Sequence, residues 1–187
     1  YKFQWGYLKK GMSPEEHQEQ LRTVVDPILV NLLRRADEEQ IFSPKAVYGW
    51  FPCRPDGDAL VLEDGTRLSF PRQRAEGGRC ISDYFHPDGD LLGMMAVTIG
   101  ERASEVCGQW FEANDYRNYL YLHGLSVELA EGMTEFLHRQ MRSELGISGE
   151  DDREIGGLFR GGYRGCRYAY GYPACPEMSD QQHLLRL

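Results

Sequence analysis

The chain has 187 residues, 41% hydrophobic and 12% aromatic, which is enough to form one ordinary hydrophobic core. Its 29 acidic and 21 basic residues give a net charge of -8, which repels a phosphate backbone unless the basic residues are segregated. We therefore expect residues 1–187 to form a single globular domain that does not bind nucleic acid.

The two ends of the chain and its apolar runs bear on where the protein resides. No apolar run approaches the roughly 20 residues that cross a bilayer, and the first ten residues lack the apolar stretch of a signal peptide. This predicts a soluble, cytoplasmic protein without a membrane partner. The chain starts with Tyr1 and stops within the apolar run at 183–187, so we expect a domain truncated at both ends.

The cysteines and histidines indicate no bound metal. The five cysteines form no Cys-x-x-Cys pair, which argues against a disulfide framework and a structural zinc site. His123 and His138 lie on one predicted helix but 15 residues apart, too far for the i, i+4 spacing of a shared metal. We expect reduced thiols and no metal ligands.

The N-terminal part of the chain is predicted to be helical. The residues SPEE at 13–16 form a capping box with proline at the first helical position, so a helix should start there and run toward Val25. Pro27 should then kink or restart the helix, which ends before Ser43.

A β-rich region follows the helices. Five strand candidates are separated by short turns: 46–53, 59–63, 66–71, 80–85 and 91–100. The turn EDGT at 63–66 predicts a hairpin between the second and third candidates. Because short turns rather than helical crossovers join these segments, we expect an antiparallel sheet.

Two further helices are predicted, at 101–112 and 115–145. On the second, an apolar residue recurs every four positions and defines a buried face: Leu125, Leu129, Met133, Leu137 and Met141. Glu131 lies off this face, where a helical glutamate is ordinarily a solvated charge. The polar run 147–157 predicts a surface loop. The fold class is therefore α+β, with a twisted antiparallel sheet flanked by helices.

The segment RYAYGYP at 167–173 is the candidate binding element. If it is extended, its side chains alternate, with Tyr168, Tyr170 and Tyr172 on one side and Arg167, Ala169 and Gly171 on the other. Small residues let a ligand approach the backbone, an arginine fork suits a carboxylate, and tyrosine rings can stack a purine or attract a cation. The pattern suits a small zwitterion with a ring and a positive centre. It also fits ordinary sheet packing followed by a Gly-Tyr-Pro turn.

Several blocks of the sequence resemble, in the same order, the reactivation (activation) domain of cobalamin-dependent methionine synthase. The characteristic element of that family is Arg-x-x-x-Gly-Tyr, found here from Arg167 to Tyr172. The other similar blocks are QWGY at 4–7, AVYGWFPC at 46–53, SFPRQ at 69–73, CISDYF at 80–85, and the longer runs 116–142 and 162–177. The resemblance covers essentially the whole chain and implies the fold of that domain.

The resemblance implies a function as well. In this family the domain binds S-adenosylmethionine and presents its methyl group to cobalamin, which is held by a cobalamin-binding domain of the same enzyme. A flavodoxin-type reductase supplies an electron, and inactive cob(II)alamin is remethylated. The complete enzyme transfers a methyl group from methyltetrahydrofolate to homocysteine, and the isolated domain is not expected to be catalytically complete.

The family's cofactor-binding residues map onto this sequence. Arg167 resembles the arginine that holds the methionine carboxylate, and Ala169 and Gly171 supply close backbone approach around the adenosine. Tyr172 would line the pocket near the reacting methyl group. The same reasoning adds the neighbouring ring of Tyr168 and the helical Glu131 to the expected cofactor-binding set, and no catalytic residue is expected on this chain.

Two features depart from the family pattern. Gly161 stands where the family often has an acidic residue, so a side-chain contact made there is lost. The family domain also begins earlier and extends beyond position 187 with a further ligand contact. We expect such trimming to weaken or abolish cofactor binding.

Other functional readings compete with this one. The run DYFHPDG at 83–89 is similar to the Asp-x-His-x-x-Gly element that supplies the lower histidine of cobalamin, but its first spacing is one residue too long for His86 to serve. Cys175 and His183 could form a hydrolase-like nucleophile and base, although no orienting group is identifiable. An alternative is a stand-alone module that binds S-adenosylmethionine, or docks an acidic redox partner, without catalysis. Its basic surface would contain Arg153, Arg160, Arg164 and Arg167.

Overall fold

The computed structural model describes residues 5–74, 77–158 and 160–186. Its internal contacts divide the chain into two units, which we call the helical unit and the sheet unit. The helical unit holds the chain up to Ala46 and Val97–Phe136, and the sheet unit holds Val47–Ala96 and the chain from Leu137 onward. The expectation of a single domain truncated at both ends stays a prediction.

The helical unit begins with the predicted capped helix. Helix α1 spans Pro14–Gln20, a π-helical turn spans Leu21–Val25, and α2 spans Asp26–Glu38. Ser13 Oγ accepts the backbone N–H of Glu16 at 3.2 Å, and the Glu16 carboxylate accepts the Ser13 N–H at 2.8 Å. These two bonds satisfy donors that the first turn leaves open, so the capping box is confirmed.

Pro27 explains the π-helical turn between the two helices. Proline has no N–H, and its ring crowds the carbonyl one turn earlier, so the regular α-helical ladder cannot pass through it unchanged. The chain accommodates this by widening, and the N–H of Asp26 donates to the carbonyl of Leu21, five residues before it. The predicted restart at Pro27 therefore takes the form of one wide turn.

Helices α3 (Glu101–Glu112) and α4 (Tyr116–Glu144) agree with the prediction to within one residue at each end. The core of the helical unit contains Trp5, Val25, Leu32, Ala36, Ile41, Ala103, Val106, Cys107, Leu122 and Leu125. Trp5 Nε1 donates to the carbonyl of Tyr121 at 2.9 Å, which satisfies the polar end of this buried ring.

The predicted apolar face of α4 is confirmed within each unit. Leu125, Leu137 and Met141 are buried, and Leu129 and Met133 are half-buried. Spacing of four residues on a helix places successive side chains on one face, so this row meets the core. His138 and Arg142, next to Leu137 and Met141, are polar residues of α4 that are buried as well.

The sheet unit contains a four-stranded sheet with the order β3-β2-β1-β4. The strands are β1 (Lys45–Asp56), β2 (Ala59–Leu62), β3 (Arg67–Ser69) and β4 (Asp90–Thr98). Strands β1 and β2 pair antiparallel, as do β2 and β3. Cys53, Leu60, Leu62, Leu68 and Met94 form the core of this unit.

The β2–β3 hairpin follows from its turn residues. The Asp64 carboxylate accepts the N–H of Thr66 at 2.8 Å and its hydroxyl at 2.9 Å, and Gly65 has a φ of +87°. An aspartate that bonds the backbone two residues on, followed by a glycine at positive φ, reverses the chain tightly. The predicted hairpin is confirmed.

The strand predicted at 80–85 is wrong, because a 3₁₀ turn spans Ile81–Tyr84. The Asp83 carboxylate accepts the N–H of Cys80 at 2.8 Å, and the Ser82 hydroxyl donates to the carbonyl of Gly57 at 2.9 Å. Such side-chain bonds to nearby backbone favour a helical turn over a sheet ladder.

The predicted α+β class, an antiparallel sheet with helices, is confirmed by this arrangement. None of the helices in the described ranges is both long and apolar enough to cross a membrane.

Candidate functional site

A groove in the sheet unit brings three of the predicted sequence blocks together. We call it the tyrosine groove, and its volume is about 370 Å³. It is lined by Pro71, Gln73, Arg79, Cys80, Ile81, Tyr84, Tyr168, Tyr172, Pro173 and Ala174. One wall thus comes from residues 71–73 and 79–84, and the other from the 167–174 region that contains the Arg-x-x-x-Gly-Tyr element.

Three aromatic rings dominate the lining of the tyrosine groove. Tyr84, Tyr168 and Tyr172 are 56, 45 and 62% exposed. Partial burial raises the pKa of Tyr168, so its phenol stays neutral over the physiological range. Three exposed rings around one concavity form a surface suited to a planar ring or a cation.

The polar groups of the groove are few and placed at its walls. Of the described residues that line it, only Arg79 is charged, and its Nη1 donates toward the Tyr84 hydroxyl at 3.5 Å. Gln73 Nε2 donates to the carbonyl of Pro173 at 3.1 Å and so joins the two walls. A mostly apolar groove with a small number of polar groups is typical of sites for small organic ligands.

The 167–173 segment is not extended along its whole length, contrary to the expectation from its sequence. The Gly171 N–H donates to the Cys175 carbonyl at 2.9 Å, and the Cys175 N–H donates to the Tyr172 carbonyl at 2.9 Å. Gly171 has a φ of +91°, and a side-chain Cβ there would lie 2.9 Å from Met178 Sδ. The chain therefore turns at Gly171, a conformation that glycine tolerates best.

This turn changes which predicted residues share a side. Tyr168 and Tyr172 both line the groove, whereas Tyr170, expected beside them, does not, and burial raises the pKa of its phenol. Arg167 is half-buried, and Ala169 and Gly171 are exposed. These three do not line the groove, although they are the residues expected to hold the carboxylate and the adenosine, and their roles stay predictions.

Glu131 belongs to a different part of the molecule. It lies on α4 within the helical unit, and its side chain is exposed. Its exposure agrees with its place off the apolar face of the helix. The tyrosine groove is built entirely from the sheet unit, so Glu131 is not part of the geometry described for that groove.

Gln73, Arg79 and Tyr84 line the groove but are not among the site residues predicted from the sequence. Gln73 and Tyr84 lie in the blocks SFPRQ and CISDYF, which were noted only for their family resemblance. The sequence feature that could have indicated them is that both blocks contain aromatic and polar residues close to a proline. Their meeting at one groove depends on the 3₁₀ turn, which the sequence pattern did not predict.

A second groove lies in the helical unit and has a volume of about 400 Å³. It is lined by Ile99, Ala103, Ser104, Cys107, Gly108, Phe111, Glu112, Tyr119, His123 and Ser126. None of the predicted site residues lines it. We take the tyrosine groove as the candidate site because Tyr168 and Tyr172 lie in it, although the helical groove is slightly larger.

The competing chemistries find little support in the local geometry. The Cys175 thiol donates to the Ala169 carbonyl at 2.9 Å, and burial raises its pKa, which disfavours the thiolate that a nucleophile needs. His86 is exposed, and its Nδ1 accepts the N–H of Asp88 at 3.3 Å within a turn. Within residues 5–74, 77–158 and 160–186, no cluster of His, Cys, Asp and Glu could hold a metal ion.

Comparison with known proteins identifies the family. The family model described as the activation domain of vitamin B12 dependent methionine synthase matches residues 5–187. The chain belongs to the methionine synthase activation-domain family. The family resemblance found in the sequence is thereby confirmed.

Relatives of this activation domain include two complete enzymes and a solved structure. Two relatives are the methionine synthases of Mycobacterium leprae (strain TN) and Mycobacterium tuberculosis (strain ATCC 25618 / H37Rv). Each is 33% identical to this chain over an alignment that covers 98% of the chain. The chain spans 17% of the length of each of these enzymes. A crystal structure of the MetH reactivation domain bound to AdoHcy matches with a TM-score of 0.72 and 27% identity, covering 90% of this chain and 59% of the other.

Proposed function

We propose that this activation domain binds S-adenosylmethionine and offers its methyl group for the remethylation of cob(II)alamin held on another domain of a methionine synthase. The observation that carries the proposal is the similarity to a reactivation domain bound to AdoHcy, over 90% of this chain. AdoHcy is what remains of S-adenosylmethionine after the methyl group leaves. The complete enzyme would then serve methyl transfer from methyltetrahydrofolate to homocysteine.

The side chains of the sheet unit are chemically suited to this ligand. S-adenosylmethionine combines a planar adenine, a sulfonium cation and a carboxylate. The exposed rings of Tyr168 and Tyr172 suit the adenine or the sulfonium. The guanidinium of Arg167, which precedes Tyr168 in the chain but does not line the groove, suits the carboxylate. A groove of about 370 Å³ is within the range of sites for ligands of this size.

The expected residue roles stay proposals. Arg167 would hold the carboxylate, and Ala169 and Gly171 would let the adenosine approach the backbone. Tyr172 would lie near the reacting methyl group, and Glu131 would contribute a negative charge toward the sulfonium. The chain's share of the reaction is binding and orientation, because the methyl acceptor is the cobalt of a cofactor held elsewhere.

The carboxylate role can be tested by calorimetry of the full chain with S-adenosylmethionine. Arg167→Ala should weaken binding by about 1.5–3 kcal/mol, the scale of a hydrogen bond to a charged group. Arg164→Ala is the matched control, because Arg164 is exposed and pairs with Glu150 at 3.3 Å. Unchanged affinity in Arg167→Ala would refute the carboxylate role. Failure of the wild-type chain both to bind S-adenosylmethionine in the millimolar range and to form methylcobalamin with a cobalamin domain would refute the proposed function.

The partners of the module are also part of the proposal. They are the cobalamin-binding domain of the same enzyme and a flavodoxin-type reductase that supplies the electron for cob(II)alamin. Mixing the chain with a cobalamin domain, S-adenosylmethionine and a reductant should produce the absorbance of methylcobalamin. Cofactor binding without this product would favour the alternative, a binding or docking module without catalysis. The cytoplasmic location stays a prediction.

The alternative docking function has one supporting observation. Arg153, Arg160 and Arg164 are exposed in the segment before Arg167, so they could meet an acidic redox partner. A docking surface of this kind is compatible with cofactor binding. Substituting the three exposed arginines would slow electron delivery in a salt-dependent way and leave affinity for S-adenosylmethionine unchanged.

A further inference from the structure

Arg72, in the block SFPRQ, makes more side-chain contacts than a surface arginine ordinarily does. Its Nε and Nη2 donate to Asp58 Oδ1 at 3.0 and 2.6 Å. Its Nη1 and Nη2 donate to the two carboxylate oxygens of Asp83 at 2.7 and 3.0 Å. Nη1 also donates to the carbonyl of Gly78 at 2.7 Å. One planar fork therefore holds three separate points of the chain.

The three points belong to elements that build one wall of the tyrosine groove. Asp58 lies between β1 and β2, Gly78 lies in the connection after β3, and Asp83 lies in the 3₁₀ turn Ile81–Tyr84. Asp83 in turn accepts the N–H of Cys80 at 2.8 Å. Arg72 thus fastens the wall residues 77–84 to the end of the β1–β2 hairpin.

The hydrogen bonds of Arg72 stabilise the charged forms of the groups that make them. Hydrogen bonds to Asp83 and Asp58 raise the pKa of Arg72, and the bond from Arg72 is the largest cause that lowers the pKa of Asp83. An isolated exposed ion pair contributes little to stability, because water screens it. Two carboxylates bound to one guanidinium instead fix how Asp58 and Asp83 are oriented relative to each other. Asp83 lies in the 3₁₀ turn that carries Tyr84.

The residue after Arg72 fastens the same segment to the opposite wall. Gln73 Nε2 donates to the Pro173 carbonyl at 3.1 Å, directly after Tyr172. Arg72 and Gln73 are adjacent in the chain, so one short segment contacts both the 3₁₀ turn that carries Tyr84 and the residue that follows Tyr172.

We propose that Arg72 is a positioning residue of the tyrosine groove, which clamps the 77–84 wall to the sheet so that Tyr84 faces Tyr168 and Tyr172 across the ligand. The proposal rests on the proposed function, because the ligand in question is S-adenosylmethionine. Arg72 does not line the groove and acts through the residues that do.

The test compares two arginine variants of the full chain. Arg72→Met removes the clamp, and Arg67→Met is the matched control because Arg67 pairs with Asp56 on the same hairpin and does not line the groove. Arg72→Met should bind S-adenosylmethionine about tenfold more weakly, and Arg67→Met should stay within about twofold of wild type. Arg72→Lys should resemble Arg72→Met, because a single ammonium cannot reproduce the planar set of bonds that the guanidinium makes to Asp58, Gly78 and Asp83 at once.

A second measurement tests, without any ligand, whether Arg72 holds the wall residues 77–84 in place. Cys80 is 3% exposed, and its thiol donates to the Phe70 carbonyl at 3.4 Å. Alkylation of Cys80 by a maleimide, located by peptide mass spectrometry, should be faster in Arg72→Met and Arg72→Lys than in Arg67→Met. Equal alkylation in all variants would overturn the clamp, whether or not the wild-type chain binds the cofactor.

The outcomes separate the two proposals. Faster Cys80 alkylation with unchanged affinity in Arg72→Lys would overturn the positioning role and leave the proposed function standing. Failure of the wild-type chain both to bind S-adenosylmethionine in the millimolar range and to form methylcobalamin with a cobalamin domain would overturn the proposed function, and with it the ligand named for the groove. If Arg72→Met fails to fold, Arg72→Lys carries the comparison, since it keeps the charge and the length of the side chain.

Discussion

At the scale of single residues, Gly171 shows how the Gly-Tyr-Pro element serves local geometry. Its positive φ of +91° allows the two hydrogen bonds that close the turn onto Cys175. A Cβ at this position would be strained in the backbone and would meet Met178. The sequence suggested that Gly171 leaves room for a ligand, but the turn itself already requires a glycine at this position.

Gly171→Ala should lower the free energy of unfolding by about 1–2 kcal/mol, because an L side chain is disfavoured at this φ. Gly132→Ala on α4 is the control, since a Cβ there meets nothing within 4 Å and alanine is the better helix former. Urea unfolding should therefore rank Gly132→Ala at or above wild type and Gly171→Ala below it. Equal midpoints for the two variants would contradict the strained turn.

Arg142 is the most deeply buried charge described in the sheet unit. Its side chain is 5% exposed, its Nη2 lies 2.7 Å from Asp151 Oδ2, and its guanidinium lies 4.2 Å from the ring centre of Tyr163. Nη1 also lies 3.0 Å from His138 Nδ1. This cluster fastens the end of α4 to the loop that leads toward Arg167, and a substitution here acts through stability.

Arg142→Met should cost about 3–5 kcal/mol in the free energy of unfolding, because it leaves the Asp151 carboxylate, whose side chain is only 12% exposed, without its partner. Arg164→Met breaks the exposed pair with Glu150 and should cost less than about 1 kcal/mol. Thermal or urea unfolding distinguishes the two. A small effect of Arg142→Met would mean that the buried pair is not required to hold the loop.

At the scale of elements, the sequence was most informative where one local rule acted alone. The capping box fixed the start of α1, and the period of four along α4 predicted a face that is buried or half-buried throughout. The strand predicted at 80–85 is wrong, because the Asp83 carboxylate accepts the backbone N–H of Cys80 and so stabilises a helical turn there. For 167–173 the extended reading fails at Gly171, where the chain turns onto Cys175, and the alternative of a Gly-Tyr-Pro turn is the one found.

The end of α4 is joined to β1 by a second network of the sheet unit. The Glu144 carboxylate accepts the Tyr48 hydroxyl at 2.5 Å and Trp50 Nε1 at 3.4 Å. The bond from Tyr48 is the largest cause that lowers the pKa of Glu144 below its ordinary 4.5. Because the unfolded carboxyl binds a proton more readily than the folded one, this contact stabilises the fold above that ordinary pKa.

The stabilisation from Glu144 should be lost as the pH falls through its lowered pKa. Glu144→Gln removes the titrating group, so the wild type should lose more stability than the variant between neutral and strongly acidic pH. Urea midpoints across this range provide the measurement. Parallel pH profiles for the two proteins would show that the carboxylate is not held by Tyr48 in solution.

At the scale of the whole molecule, the candidate cofactor-binding residues divide between the two units. Arg167, Tyr168 and Tyr172 belong to the sheet unit, and Glu131 belongs to the helical unit. The chain also spans only 17% of the enzymes it is similar to. The proposed reaction therefore depends on more than this chain, in keeping with a module that presents a methyl group to a cofactor held elsewhere.

The sequence by itself determined the family, the α+β class, most helix and strand positions, and the segment that carries the candidate site. These properties depend on local rules and on the order of short blocks, which can be read along the chain. Only the tertiary structure decided that residues 71–73 and 79–84 form the second wall of the groove, and which tyrosines line it. The reason is physical: Gln73 donates to the carbonyl of Pro173, 100 residues away in sequence, and no local periodicity encodes such a contact.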